Sequence, residues 1–257
     1  MLLTMDIGNT CITIGVFSKK VLAGVVRMFT DRDRTGDQYA VDLKSLLSLN
    51  GFNPDDFSGA IVSSVVPSLI PEIKIAVKKA VGIEPLLIGP GVKTGLNIKI
   101  DNPAQLGADL VVGAVAALEK YKMPCVIFDL GTANTISVLN QKGEFMGGTI
   151  SAGMGISLDA LASRTSQLPY VSLDSVDKII GSNTIDSMKS GLIYGTAAMI
   201  DGMADRIEEE LGEKATLVAT GGRASQVTGY CKRDIILDMD LLLTGLRIIY
   251  DKNKAEK

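Results

Sequence analysis

Asp6-Ile7-Gly8-Asn9-Thr10 and Asp129-Leu130-Gly131-Thr132-Ala133 set the same chemistry at two points about half the chain apart. In each, an apolar run ends in an aspartate, a glycine follows two residues on, and amide or hydroxyl side chains come next. Glycine lets a backbone turn sharply and approach a phosphate closely. The N–H groups of such a turn, with Asn or Thr side chains, donate to phosphate oxygens. The aspartate puts a carboxylate beside those phosphates, where it can hold a hydrated Mg²⁺. One such turn is an ordinary turn, but two at matched positions point to a phosphate site built from duplicated halves. Thr220-Gly221-Gly222 follows the apolar run Leu217-Val218-Ala219 and adds a third part, a glycine pair against which a flat base or ribose can lie. Neither GxxxxGK[ST] nor GxGxxG occurs, which disfavours P-loop and dinucleotide folds.

The residue types that are missing narrow the chemistry further. The chain has no histidine, which excludes Ser-His-Asp and Cys-His mechanisms and His-ligated metals. A general base must then be Asp, Glu, Lys, Tyr or Cys. There is no tryptophan and the formal charge is −3, so nucleic acid is not an expected partner. Cys11, Cys125 and Cys231 are too far apart for a CxxC site, and their odd number fits a reducing cytosol. The apolar start Met1–Met5 is too short for a signal peptide, and no stretch approaches a membrane span.

The elements that must position these residues repeat as well. With 257 residues, the chain has room for two domains of about 120 residues. Strands are expected over 2–5, 11–17, 21–29, 60–66 and 85–88, with helices over 37–50, 67–81 and 104–120. The pattern then restarts. Strands are expected over 125–128, 135–139, 144–150 and 217–219, with helices over 154–164, 184–211 and 241–252. Met154, Met188, Met199 and Met203 read as core packing. Glu208-Glu209-Glu210 with Lys214 reads as a solvated helix end, and the charged tail over 251–257 is expected to fray. The division falls at 1–120 and 121–257. Two copies of βββαβα predict an α/β protein of two lobes with a cleft between them.

The order of two phosphate loops and a Gly-Gly loop resembles the actin-like ATPase superfamily, which includes sugar kinases and heat-shock chaperones. Over almost its whole length the chain is similar to the type III pantothenate kinases. The matching segments are Asp6-Ile7-Gly8-Asn9-Thr10, Ser63-Ser64-Val65-Val66-Pro67 and Gly89-Pro90-Gly91-Val92-Lys93-Thr94-Gly95-Leu96. They continue through Asp101-Asn102-Pro103, Gly107-Ala108-Asp109, Asp129-Leu130-Gly131-Thr132, Gly147-Gly148 and Thr165-Ser166-Gln167-Leu168-Pro169 to Gly181-Ser182-Asn183-Thr184, Ser190-Gly191 and Thr220-Gly221-Gly222. The resemblance implies duplicated ribonuclease-H-like lobes with a central nucleotide cleft. It also implies ATP-dependent phosphorylation of pantothenate to 4′-phosphopantothenate, the first step of coenzyme A synthesis, by a cytoplasmic homodimer. The long helices over 104–120 and 184–211 are interface candidates. Mg²⁺ and a monovalent cation, K⁺ or NH₄⁺, are implied cofactors.

By the same resemblance Asp6, Ile7, Gly8, Asn9, Thr10, Cys11, Ile12 and Thr13 line the first phosphate loop, with Asp6 reaching Mg²⁺ through water. Asp109 is the general base, Asp129 binds the monovalent cation, and Thr132, Gly221 and Gly222 contact ATP. Ile100, Gly107, Ala108, Asp109, Leu110 and Thr184 fall on the acceptor side.

Departures from the family pattern gather on that acceptor side. The family usually continues Gly-Ala-Asp-Arg, but Leu110 follows Asp109 here. Arginine supplies a rigid fork of donors and leucine supplies none. Ile100 stands where an aromatic residue is frequent, and Gly113 where an Asn is usual. Three readings follow: a pantothenate kinase with another residue compensating, a kinase of a different small alcohol, or a nucleotide-binding regulatory paralogue.

Overall fold

Along β1 (Leu2–Ile7) side chains alternate between two packed faces. Leu3, Met5 and Ile7 enter one core with Tyr39, Leu43 and Leu47 of α1 (Gly36–Leu49) and Ile73, Ala76 and Val77 of α2 (Ile70–Val81). Thr4 lies on the opposite face beside Gly15, where Leu243 of the last helix packs. The computed structural model describes residues 1–254. They form two compact units. Unit 1 comprises Met1–Leu96, Asn102–Glu119 and the chain from Asp240 onward, and unit 2 comprises Asn97–Asp101 and Lys120–Met239.

In unit 1, β1 pairs antiparallel with β2 (Cys11–Ser18), and β2 with β3 (Val21–Phe29). β4 (Gly59–Ser64) joins β1 in parallel, and β5 (Leu86–Leu87) joins β4, giving the order β3-β2-β1-β4-β5. In unit 2, β6 (Asn97–Ile98) is the outer strand beside β9 (Glu144–Ala152). β7 (Cys125–Leu130), β8 (Ala133–Leu139) and β9 form an antiparallel meander. β10 (Thr216–Thr220) pairs parallel with β7, and β11 (Ile236–Leu237) with β10. The order β9-β8-β7-β10-β11 repeats that of the first sheet. The meanders even carry register shifts at matching points, Val16/Phe17 in β2 and Val138/Leu139 in β8. The duplication expected from the two Asp-x-Gly turns is therefore present in the topology.

The helices are α3 (Ala108–Lys120), α4 (Met154–Arg164), α5 (Thr184–Leu211), the single turn α6 (Ala224–Val227) and α7 (Leu241–Lys254). Relative to a division at residue 120, α7 goes with unit 1. Its apolar stripe Leu241, Leu243, Leu246 and Ile249 is buried, and the helix packs on β1, β2 and β4. α7 also meets α3, where a side chain at Gly245 would strike the carbonyl of Val112. The tail does not fray from Asp251. Arg247 donates to Asp251 at 2.8 Å, and Asn253 exchanges bonds with the backbone of Lys93, so α7 runs to Lys254. Residues 255–257 lie outside the described residues.

The helix expected over 104–120 divides in two. A 3₁₀ turn at Pro103–Gln105 is capped by Asn102, the backbone extends at Leu106, and α3 begins at Ala108. Likewise Pro67–Leu69 is a 3₁₀ turn ahead of α2. β6, β11 and α6 were not expected, being too short to carry a periodic signal. The four methionines do pack in or against the unit 2 core.

Glu208 corrects the reading of a solvated helix end, because it is buried. Asp201, Asp205 and Glu208 line one face of α5 and grip the segment at Lys232–Arg233. Arg233 donates to Glu208 at 2.7 Å and also pairs with Asp205, while Asp201 accepts from the backbone N–H groups of Lys232 and Arg233. Burial alone raises the Glu208 carboxyl. Hydrogen bonds from Arg233, Lys214 and the Ala215 N–H outweigh it and bring the pKa down to about 2. Against an unfolded value of 4.5, that is worth about 3 kcal/mol. Because the folded pKa is depressed, this stabilisation is complete above pH 4.5 and fades as pH falls toward 2. Glu208→Gln is expected to lose about 2–3 kcal/mol in urea denaturation at pH 7. Its deficit relative to wild type should shrink as pH is lowered below 4.

Candidate active site

In unit 1 the segment expected to be the first phosphate loop is the β1–β2 connection. β1 extends past the expected end, so Asp6 lies within it, opposite Thr13 on β2 and Ser63 on β4. Gly8 N–H donates to the Cys11 carbonyl at 3.0 Å, closing a tight reverse turn. Asn9 and Thr10 at its tip are exposed. Ile7 and Ile12 are buried and anchor the two sides. The turn therefore presents polar tips on apolar roots.

Asp109 sits in the first turn of α3. Its Oδ1 accepts from Leu110 N–H at 2.9 Å. Burial pushes the carboxyl pKa upward against the lowering effect of backbone hydrogen bonds. A raised carboxylate pKa makes a stronger base, provided the group is still ionised at working pH. A Cβ at Gly107 would come 2.5 Å from Asp109 Oδ1, so a side chain there would displace that carboxylate. Leu110 is half-buried beside it, and Gly113, one turn on, is buried with nothing within 4 Å of an added Cβ. No arginine stands in this stretch of α3.

In unit 2 three sequence-distant segments meet around Asp129. The strand β7 runs to Leu130, placing Asp129 between Thr135 of β8 and Thr220 of β10. Gly221 follows β10 with φ +94°. A Cβ at Gly221 would press on Asp129 Oδ1 and lie 2.6 Å from Leu130 N. Gly131 N–H donates to Ala133 O at 3.1 Å, closing the turn expected to be the second phosphate loop, with Thr132 exposed at its tip. Gly222 is exposed. Gly153 was not singled out in the sequence, yet it caps the N-terminus of α4 and donates to Thr132 O at 3.1 Å. A side chain there would strike the Gly131 and Thr132 carbonyls. The only signal for it was a glycine just ahead of a helix.

The residues of unit 2 expected on the acceptor side lie elsewhere. Ile100 follows β6, and its Cγ2 would touch a Cβ at Gly147. Thr184 opens α5 and lines a cavity of about 560 Å³ with Leu161, Leu168, Ser187 and Met188.

The duplicated sheets with a glycine turn after the first strand of each define the actin-like ATPase fold. Two solved structures share it: component A of the (R)-2-hydroxyglutaryl-CoA dehydratase of Acidaminococcus fermentans, and the activator of the 2-hydroxyisocaproyl-CoA dehydratase of Clostridium difficile with bound ADPNP. The first has a TM-score of 0.60 at 15% identity, covering 100% of this chain and 99% of the other. The second has a TM-score of 0.55 at 15% identity, covering 99% and 95%. The particular family comes from sequence. The profile of the type III pantothenate kinases matches residues 2–206. A type III pantothenate kinase of Halalkalibacterium halodurans is 40% identical over 253 residues, covering 98% of this chain and all of the relative. The chain belongs to the type III pantothenate kinase family.

Proposed function

We propose that this pantothenate kinase works with Asp109 as its general base, accepting the proton of the pantothenate hydroxyl as that oxygen attacks the γ-phosphorus of ATP. The bond from the γ-phosphorus to the bridging oxygen breaks and ADP leaves. The chain is a phosphotransferase that feeds coenzyme A synthesis. The observation that carries the residue assignment is the carboxylate of Asp109, held by a backbone N–H in the first turn of α3 and raised by burial. Phosphoryl transfer asks the protein mainly for positioning and charge stabilisation. Asp6, Ile7, Gly8, Asn9, Thr10, Cys11, Ile12 and Thr13 would form the first phosphate loop, with Thr132, Gly221 and Gly222 as further ATP contacts.

The donor chemistry fits the implied ions. Among the described residues no group of three or more acidic, Cys or His side chains is arranged as a metal cage. Mg²⁺ needs none, because it keeps several waters and takes one or two carboxylates together with substrate phosphates. Asp6 would supply such a carboxylate through water, and Asp129 would hold a monovalent cation, K⁺ or NH₄⁺. Bound there, the ions would neutralise phosphate charge. Thr184 and the cavity it lines would serve pantothenate, together with Ile100, Gly107, Ala108 and Leu110.

A cytoplasmic homodimer fits this reading. Among the described residues no helix is long and apolar enough to cross a membrane. Ile179, Ile180 and Ile185, around the start of α5, are exposed, and such clustered apolar surface marks interfaces.

The test is ADP release with Mg²⁺ and K⁺, with and without pantothenate. Turnover that depends on pantothenate and yields 4′-phosphopantothenate is expected. Turnover unchanged by pantothenate would overturn the assignment and send the search to other small alcohols.

A further inference from the structure

We propose that Thr30, with Arg32, is a positioning residue for ATP: the segment 30–35 is a strap that sets the conformation of the first phosphate loop. The inference rests on the reading that this loop binds phosphates. Three contacts run from the strap to the loop. The Thr30 hydroxyl donates to the Gly8 carbonyl at 2.7 Å, and Thr30 N–H donates to the Thr10 carbonyl at 3.1 Å. Arg32 donates to Asn9 Oδ1 at 3.0 Å. The three residues at the turn are thus each held by an acceptor atom.

The consequence is one of polarity. A loop that receives an anion must turn donors toward it and keep acceptors away. Thr30 satisfies the carbonyls of Gly8 and Thr10 on the strap side. A guanidinium can only donate, so Arg32 selects the amide oxygen of Asn9 and leaves its Nδ2 directed elsewhere as a donor. Without the Arg32 contact the Asn9 amide has two orientations of similar energy.

The strap is itself fixed at both ends, as a brace must be. Its start continues β3, whose last residue Phe29 pairs with Cys11. Next, the fully buried Tyr39 of α1 clamps Asp31, its hydroxyl accepting from Asp31 N–H at 2.8 Å and donating to Asp31 O at 2.7 Å. The end is Thr35, which caps α1 in a reciprocal box with Gln38. The loop is thereby tied through the strap to the core of unit 1.

Thr30→Val keeps the shape and the backbone bond but deletes the hydroxyl. It is expected to raise the KM for ATP about five- to tenfold, the usual effect of one hydrogen bond, with the pantothenate KM within about twofold of wild type. Thr30→Ser should restore the ATP KM. Arg32→Gln, at an exposed site, should move it in the same direction by about two- to threefold. Asn9→Ala is measured beside them. A raised ATP KM in Asn9→Ala with no change in Thr30→Val, whether or not Thr30→Val melts earlier, would overturn the strap and leave the loop standing. No change in either variant would remove the phosphate-loop reading, and the strap with it.

Discussion

Asp109→Asn is expected to lower pantothenate-dependent turnover by about 10²–10⁴-fold, the usual range for loss of a general base. The Asn keeps the Oδ1 that accepts from Leu110 N–H, so geometry is retained while basicity is lost. Stability should move the other way. Burial raises the Asp109 pKa above its unfolded value of 3.8, so the ionised form is disfavoured by folding at neutral pH. A neutral amide removes that penalty, and the variant should melt no earlier than wild type at pH 7. As pH falls toward the raised pKa, wild-type kcat/KM should fall with the fraction of ionised Asp109, while the residual activity of the variant stays flat over that limb. Loss of activity together with a large loss of stability would instead make Asp109 a structural residue.

Much of the fold is legible in the sequence. Strand alternation and the two Asp-x-Gly turns revealed the duplication, because period-two patterning and glycine turns are local properties. Asp109 stands out in the sequence only through the family resemblance of Gly107-Ala108-Asp109, since its residue type and spacing alone read as a solvated helix position. What escaped depended on partners distant in the chain. Nothing in Leu241–Lys254 says that this last helix packs on the first sheet. Glu208 looks solvated beside Glu209 and Glu210 until Arg233, on another segment, is folded against it. The break at Leu106–Gly107 is hidden in the sequence because apolar spacing runs on through it. The Gly131–Thr132 turn is held by Gly153 from the start of α4, a contact that no spacing rule supplies.

The two adjacent glycines of Thr220-Gly221-Gly222 should respond differently to the same substitution. Gly221 has φ +94°, where an L side chain costs roughly 1–2 kcal/mol. Its added Cβ would also press on Asp129 and Leu130, and overpacking of this kind adds about 1–3 kcal/mol. Gly221→Ala is therefore expected to destabilise the protein by about 2–5 kcal/mol. Since the atom it displaces is Asp129 Oδ1, the proposed role of Asp129 as cation ligand further predicts a rise in the K⁺ concentration for half-maximal activity. Gly222 lies outside the left-handed region, and a Cβ there meets nothing within 4 Å. Gly222→Ala should leave the melting temperature within a degree or so, because exposed substitutions free of strain are worth less than about 0.5 kcal/mol. A raised ATP KM in Gly222→Ala at unchanged stability would mean that the methyl group meets the nucleotide itself. Equal destabilisation by both alanines would show that the pair is a structural turn, and that neither glycine is present for ATP.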